Sequence, residues 1–90
     1  MTLDILSPEK TYHIDDVESV TLPGTMGSFQ ILKNHAPLIS SLRRGNITFS
    51  VQGHLKTMVV EEGFVEATDN TITVCIGSVR KKETDKKWKN

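Results

Sequence analysis

The 90-residue sequence has a single cysteine, Cys75, so no disulfide can form within the chain and packing must hold its fold together. Flanked by Val74 and Ile76 in a β-type run, Cys75 reads as a small strand residue and not as a reactive thiol. No apolar run approaches the roughly 20 residues that span a bilayer as a helix. The opening Met1-Thr2-Leu3-Asp4-Ile5 has no basic segment followed by an apolar one, so no secretory signal is expected. Aromatic residues are only 6% of the chain and the formal net charge is zero. There is no internal repeat and no low-complexity linker. With 37% hydrophobic and 24% charged residues, the composition is that of one small soluble globular domain.

The zero net charge conceals an asymmetry. Residues 80–90 carry six basic and two acidic groups, whereas residues 1–79 carry five basic and nine acidic ones. A basic tail can attract nucleic acid or anionic lipid. Here its one aromatic, Trp88, provides no stacking platform of the kind that single-strand binders use. No nucleic acid is expected as a partner, and residues 80–90 are expected to be a solvated basic tail, either a short helix or disordered.

The dominant period is two. Leu3 and Ile5, Val20 and Leu22, Ile47, Phe49 and Val51, and Ile72, Val74 and Ile76 each alternate with polar or small residues. That spacing puts one face of each strand in a core and the other in water. Turn signals fall between the runs at Ser7-Pro8, Pro23-Gly24, Gly45-Asn46, Gln52-Gly53 and Asp69-Asn70. The expected fold is all-β, a two-sheet sandwich or flattened barrel of about eight to ten short strands. It should occupy residues 1–79 and be followed by the basic tail.

Chemistry is sparse. His13, His35 and His54 are 22 and 19 residues apart, without local metal-ligand spacing. Asp15-Asp16 and Glu61-Glu62 are adjacent, and strand neighbours point to opposite faces, so neither is a ready-made acid/base dyad. Gly24-x-x-Gly27 lacks the following Lys-Ser/Thr and amphipathic helix of a phosphate loop. No catalytic residue, metal or cofactor is assigned. The densest punctuation, from Pro23 to Leu42, therefore reads as a shaped surface. Within it Met26 and Phe29 are possible core residues, Phe29 the more so because it leads into a strand.

Several motifs in order resemble the N-terminal β-sandwich domain of the epsilon subunit of F-type ATP synthases, called delta in mitochondria. They are Leu3-Asp4-Ile5-Leu6-Ser7-Pro8-Glu9, Val17 to Gly24, Gly27 to Ile39 with its His35-Ala36-Pro37-Leu38 centre, Arg44-Gly45-Asn46-Ile47, Gly63 to Glu66 and Asn70 to Val74. The resemblance covers residues 2–79. It implies a non-catalytic rotor subunit at the foot of the central stalk, joining the gamma subunit to the c ring as protons drive ATP synthesis. By resemblance, Thr25, Met26, Gly27 and Ser28 face the c ring, and Ser7, His35 and Ser40 lie at gamma-contact positions; His35 also reads as a turn residue bonded locally. Membrane contact is expected only through the complex, on the cytoplasmic face of a bacterial inner membrane or, alternatively, the stromal face of a thylakoid.

Departures from the family pattern are local. Gln30 stands where glycine is common, Lys33-Asn34 replaces a common Pro-Gly, and Arg44 replaces a common proline. Asparagine tolerates a left-handed backbone, so Asn34 is expected to preserve the turn. The family's two-helix C-terminal hairpin, which carries inhibition and in some members ATP binding, has no counterpart in residues 1–90, so neither property is expected of them. Two other readings remain open on the residues alone. One is a stand-alone β-sandwich binding module using loop 23–37. The other is a small metalloprotein or enzyme built on His13, His35, His54 and Cys75. Changes at Gly27 or His35 are expected to disturb partner binding more than the fold.

Overall fold

The computed structural model describes residues 1–77 and the short strand at 79–80. Ten strands account for the regular structure of these residues: β1 (Thr2–Leu6), β2 (Thr11–Ile14), β3 (Val17–Gly24), β4 (Gly27–Leu32), β5 (Leu38–Leu42), β6 (Gly45–Val51), β7 (His54–Val60), β8 (Gly63–Thr68), β9 (Thr71–Ile76) and β10 (Val79–Arg80). The all-β fold expected from the alternation is the one observed. Leu3, Ile5, Val20, Leu22, Ile47, Phe49, Ile72, Val74 and Ile76 are all buried. Each such side chain removed from water favours folding by about 1.5–3 kcal/mol. The expectation for the basic tail concerns residues that lie, after Arg80, outside those described.

Hydrogen bonding joins the strands into one ladder that folds into two layers. One layer has the order β4-β3-β6-β7-β10 and the other β5-β8-β9-β1-β2. Between them β3 meets β5 through a single pair, Gly24 with Leu42. A second seam lies where Met1 and Val17 exchange backbone bonds of 3.0 and 2.8 Å. β1 and β9 run parallel, and the remaining described pairs run antiparallel. The register of β3 against β6 shifts between Val17 and Ser19, a bulge that sends the Glu18 carboxylate to the β6–β7 turn. There it accepts bonds from the Ser50 hydroxyl and the Gly53 amide.

Two of the expected turns are strand residues. Pro23 and Gly24 complete β3, and the chain reverses one step later at Thr25-Met26. Proline is tolerated there because β3 leaves β6 after Thr21 and meets β5 only at Gly24, so Pro23 owes no N–H to that side. Gly45 and Asn46 begin β6, opposite Val60 and Val59, and the turn falls on Arg43-Arg44. Gln52-Gly53 and Asp69-Asn70 are two-residue turns as expected. All four residues have positive φ, the backbone twist that suits a tight hairpin.

Candidate interaction surface

The β3–β4 hairpin ends at Thr25 and Met26. Its tip is braced from below. The Thr25 amide donates to the Ser41 carbonyl at 3.2 Å, and the two hydroxyls bond at 2.8 Å. The Arg43 amide donates to the Pro23 carbonyl at 2.9 Å, which ties the Arg43-Arg44 turn to the same hairpin. Met26 is 99% exposed, so it is an apex and not a core residue. Phe29 does pack against the core. Gly27 has φ +129°, and a Cβ there would meet nothing within 4 Å. Space is open, but an L side chain would be strained, so Gly27→Val is not a pure surface change.

The register of the second layer aligns its outward side chains in rows. Ser41, Phe64, Cys75, Leu6 and Thr11 face one another in sequence from β5 to β2. The next row holds Ile39, Glu66, Thr73, Asp4 and His13. Ile39 is 75% and Phe64 50% exposed, on a face where alternation calls for polar residues. Leu6 is also exposed, and the Cys75 thiol is half-buried beside it in the row. Pro37, Leu38, Ile39, Glu66, Ala67 and Thr68 line a shallow groove along the same edge.

Ser7, His35 and Ser40 are not clustered. Ser7 follows the end of β1 that pairs with Cys75, whereas His35 precedes the end of β5 that pairs with Ala67. These are opposite ends of one layer, with Ser40 midway along β5. The Ser7 hydroxyl donates to the Lys10 carbonyl at 2.8 Å and accepts from its amide at 3.2 Å, closing the β1–β2 turn. The Ser40 hydroxyl donates to the Ser41 carbonyl at 3.0 Å. His35 Nδ1 lies 3.0 Å from the Ala36 carbonyl, which can only accept, so Nδ1 carries a hydrogen. Nε2 is buried and has no hydrogen-bond partner among the described residues. The Nδ1 bond is the local one expected of a turn residue, while an unpaired buried Nε2 acceptor costs some stability. A carboxylate in its place would bury a charge, so His35→Glu would also disturb the fold.

The three histidines occupy separate elements: β2, the β4–β5 connection and the start of β7. Among the described residues no group of three or more His, Cys, Asp or Glu is arranged to hold a metal ion. His13 instead spans two carboxylates, a cluster that sequence reasoning missed. Its Nδ1 bonds Asp4 on the neighbouring strand at 2.5 Å, and its Nε2 bonds Asp15 at 3.0 Å. The pairing of Asp4 with His13 across β1 and β2 creates this contact, and it becomes visible only once the register is known.

The Asp4 hydrogen bond, then the charges of Asp15 and Asp4, raise the His13 pKa above its ordinary value of 6.5. A raised folded-state pKa means that the stabilisation is fully present below about 6.5 and is lost as pH rises through the folded value. The difference in urea midpoint between the natural chain and His13→Gln should therefore be larger at pH about 5.5 than at pH about 9. Equal differences at both values would show that the cluster contributes nothing on protonation.

Fold and surface together define a small β domain: a two-layer β-sandwich with a braced, exposed hairpin and an apolar row on one outer face. Residues 1–82 match the family described as the ATP synthase, Delta/Epsilon chain, beta-sandwich domain, and the chain belongs to that family. It is 44% identical over 73 residues to an ATP synthase epsilon chain of Desulfitobacterium hafniense, covering 81% of this chain and 55% of that one. It is 39% identical over 74 residues to an ATP synthase epsilon chain of Leptospira borgpetersenii, covering 82% and 58% respectively. The chain thus spans a little over half the length of these curated relatives. In fold it is similar to a chain in the central stalk/c-ring structure of the Tetrahymena thermophila mitochondrial ATP synthase. That match has a TM-score of 0.78 and 16% identity, and covers all of this chain and 74% of the other. A chain of the Euglena gracilis mitochondrial ATP synthase matches with a TM-score of 0.79 and 16% identity, over 87% of this chain and 51% of that one.

Proposed function

We propose that this chain acts as the non-catalytic rotor module of a proton-translocating F-type ATP synthase, coupling gamma to the c ring in the central stalk. In this reading Thr25, Met26, Gly27 and Ser28 meet the c ring. Gamma meets the second layer, which carries Ser7 and His35 in turns at its opposite ends and Ser40 midway along β5, and whose outer face exposes Ile39 and Phe64. The observation that carries the reading is the pairing of two separate surfaces on one stiff body. A coupling element needs two partners and a close-packed body that transmits strain between them. The hairpin is braced at its base by three hydrogen bonds, two between backbone groups and one between side chains, and offers Met26, while the second layer offers its apolar row. The domain needs no cofactor for this role, and it reaches the cytoplasmic face of a bacterial membrane through the complex.

The reading can be tested with one thiol and one substitution. Cys75 lies in the apolar row, so its alkylation by a maleimide should slow when the chain binds a gamma-containing subcomplex. Met26→Asp should leave the thermal midpoint unchanged, because the side chain is almost wholly in water. It should weaken retention on a c-ring-containing complex about tenfold, the scale of a central interface anchor. If Met26→Asp is retained normally and alkylation of Cys75 is unaffected by gamma, the rotor reading fails and a stand-alone binding module replaces it.

A further inference from the structure

We infer that Asn70, in the β8–β9 turn, is a positioning residue that holds the His35 loop in its docking shape. This rests on the reading of that loop as part of the gamma-facing side. The loop comprises residues 33–37, between the end of β4 and the start of β5, and no strand ladder holds it. Asn34 takes the left-handed conformation, φ +66°. Its backbone amide donates to Asn70 Oδ1 at 2.7 Å, and Asn70 Nδ2 donates to Asn34 Oδ1 at 3.1 Å. The two residues, 36 positions apart, form a reciprocal clasp.

Asn70 is well placed to anchor it. With Asp69 (φ +49°) it forms the tight turn between β8 and β9, and its carbonyl accepts from the Thr2 amide at 2.9 Å. The side chain therefore projects from a turn fixed to both β9 and β1. Glycine at position 34 would satisfy the left-handed backbone as well as asparagine does. What asparagine adds is an amide oxygen for Asn70. Lys33-Asn34 also lacks the ring that a Pro-Gly pair would use to restrict the loop. The clasp supplies by side-chain bonding the restriction that a proline would supply covalently. It fixes the residue immediately before His35, and with it the direction of the half-buried ring whose Nε2 is buried.

The test uses the 90-residue chain with Asn70→Gly and Asn70→Asp. Glycine keeps the positive φ and removes both bonds. Aspartate accepts from the Asn34 backbone amide and, after a half-turn of the Asn34 side-chain amide, from its Nδ2, so it restores the clasp. In Asn70→Gly, hydrogen exchange at the amides of Asn34, His35 and Ala36 should accelerate about tenfold or more, while β8 and β9 stay within about twofold. Affinity for a gamma-containing subcomplex should fall about tenfold with the urea midpoint little changed, and Asn70→Asp should recover both readouts. Unchanged exchange in the loop overturns the inference, as does a loosened loop that binds normally or an Asn70→Asp that behaves like Asn70→Gly. If the natural chain does not bind gamma at all, the functional reading fails and takes the inference with it. Normal binding by both the natural chain and Asn70→Gly overturns the inference alone.

Discussion

Gly63→Ala is expected to destabilise the domain by at least about 3 kcal/mol, the upper range of overpacking effects. Gly63 opens β8 between Leu42 of β5 and Ile76 of β9. A Cβ there would lie 1.9 Å from the Cys75 carbonyl oxygen and 2.8 Å from the Ile76 Cα. Both are backbone atoms, so no side-chain rotation relieves the clash. β8 and β9 would have to separate at this end, breaking pairs in the middle of the second layer. A small domain has only about 5–15 kcal/mol in hand, so the variant should lose a large part of its stability or fail to fold. Gly77→Ala is the matched control. Its nearest atoms lie 3.9 Å away and its φ is not in the left-handed range, so it should be neutral or stabilising by up to about 1 kcal/mol. Urea midpoints of the two variants, measured together, decide the matter. A Gly63→Ala protein as stable as Gly77→Ala would mean that the β8–β9 register is wrong.

Strand interiors were legible because a period of two is a local property. Leu3 and Ile5, or Ile72, Val74 and Ile76, need no knowledge of their neighbours to announce a buried face. The left-handed turn at Asn34 was legible for the same reason, and its φ of +66° bears it out. Pro23-Gly24 and Gly45-Asn46 were misread because turn chemistry is also local, whereas the fate of these residues is not. Pro23 stays in β3 because that strand changes partner beside it, and Gly45 enters β6 because Val60 pairs with it.

The surface was legible in part. Residues 25–28 do form an exposed tip, and the turns bearing Ser7 and His35 are where the motifs put them. What bonds those side chains depends on register. The Asp4–His13–Asp15 cluster arises from pairing β1 with β2, and the Asn34–Asn70 clasp from folding two turns together across 36 residues. Neither distance can be read from spacing alone. Ile39 and Phe64 did leave a signal. Each is apolar at the out-of-phase position of its strand, between inward-facing neighbours, and that mismatch is what marks an outer face as something other than wet.

Ile72→Ala should cost about 2–5 kcal/mol, the range for truncating a large buried aliphatic side chain. Ile72 is fully buried near the start of β9, with Ala67 of β8 on one side and Leu3 of β1 on the other. β9 links the antiparallel part of the second layer to the parallel β1, so a cavity here sits beneath the join. Small Ala67 cannot fill it, and Leu3 is held by its own strand pairing, so little relaxation is available. For a chain of this size each kcal/mol moves the thermal midpoint by roughly 4–8 °C, which puts the expected fall at no less than about 8 °C. Thr73→Ala, one residue on and facing outward, should move it far less. The pair separates two accounts of β9. If Thr73→Ala costs as much as Ile72→Ala, the strand is held by its outer face and the core described here does not exist. If Ile72→Ala alone is costly, the second layer draws its stiffness from the inner face, leaving the outer row of Phe64, Cys75 and Leu6 free to meet a partner without being needed for folding.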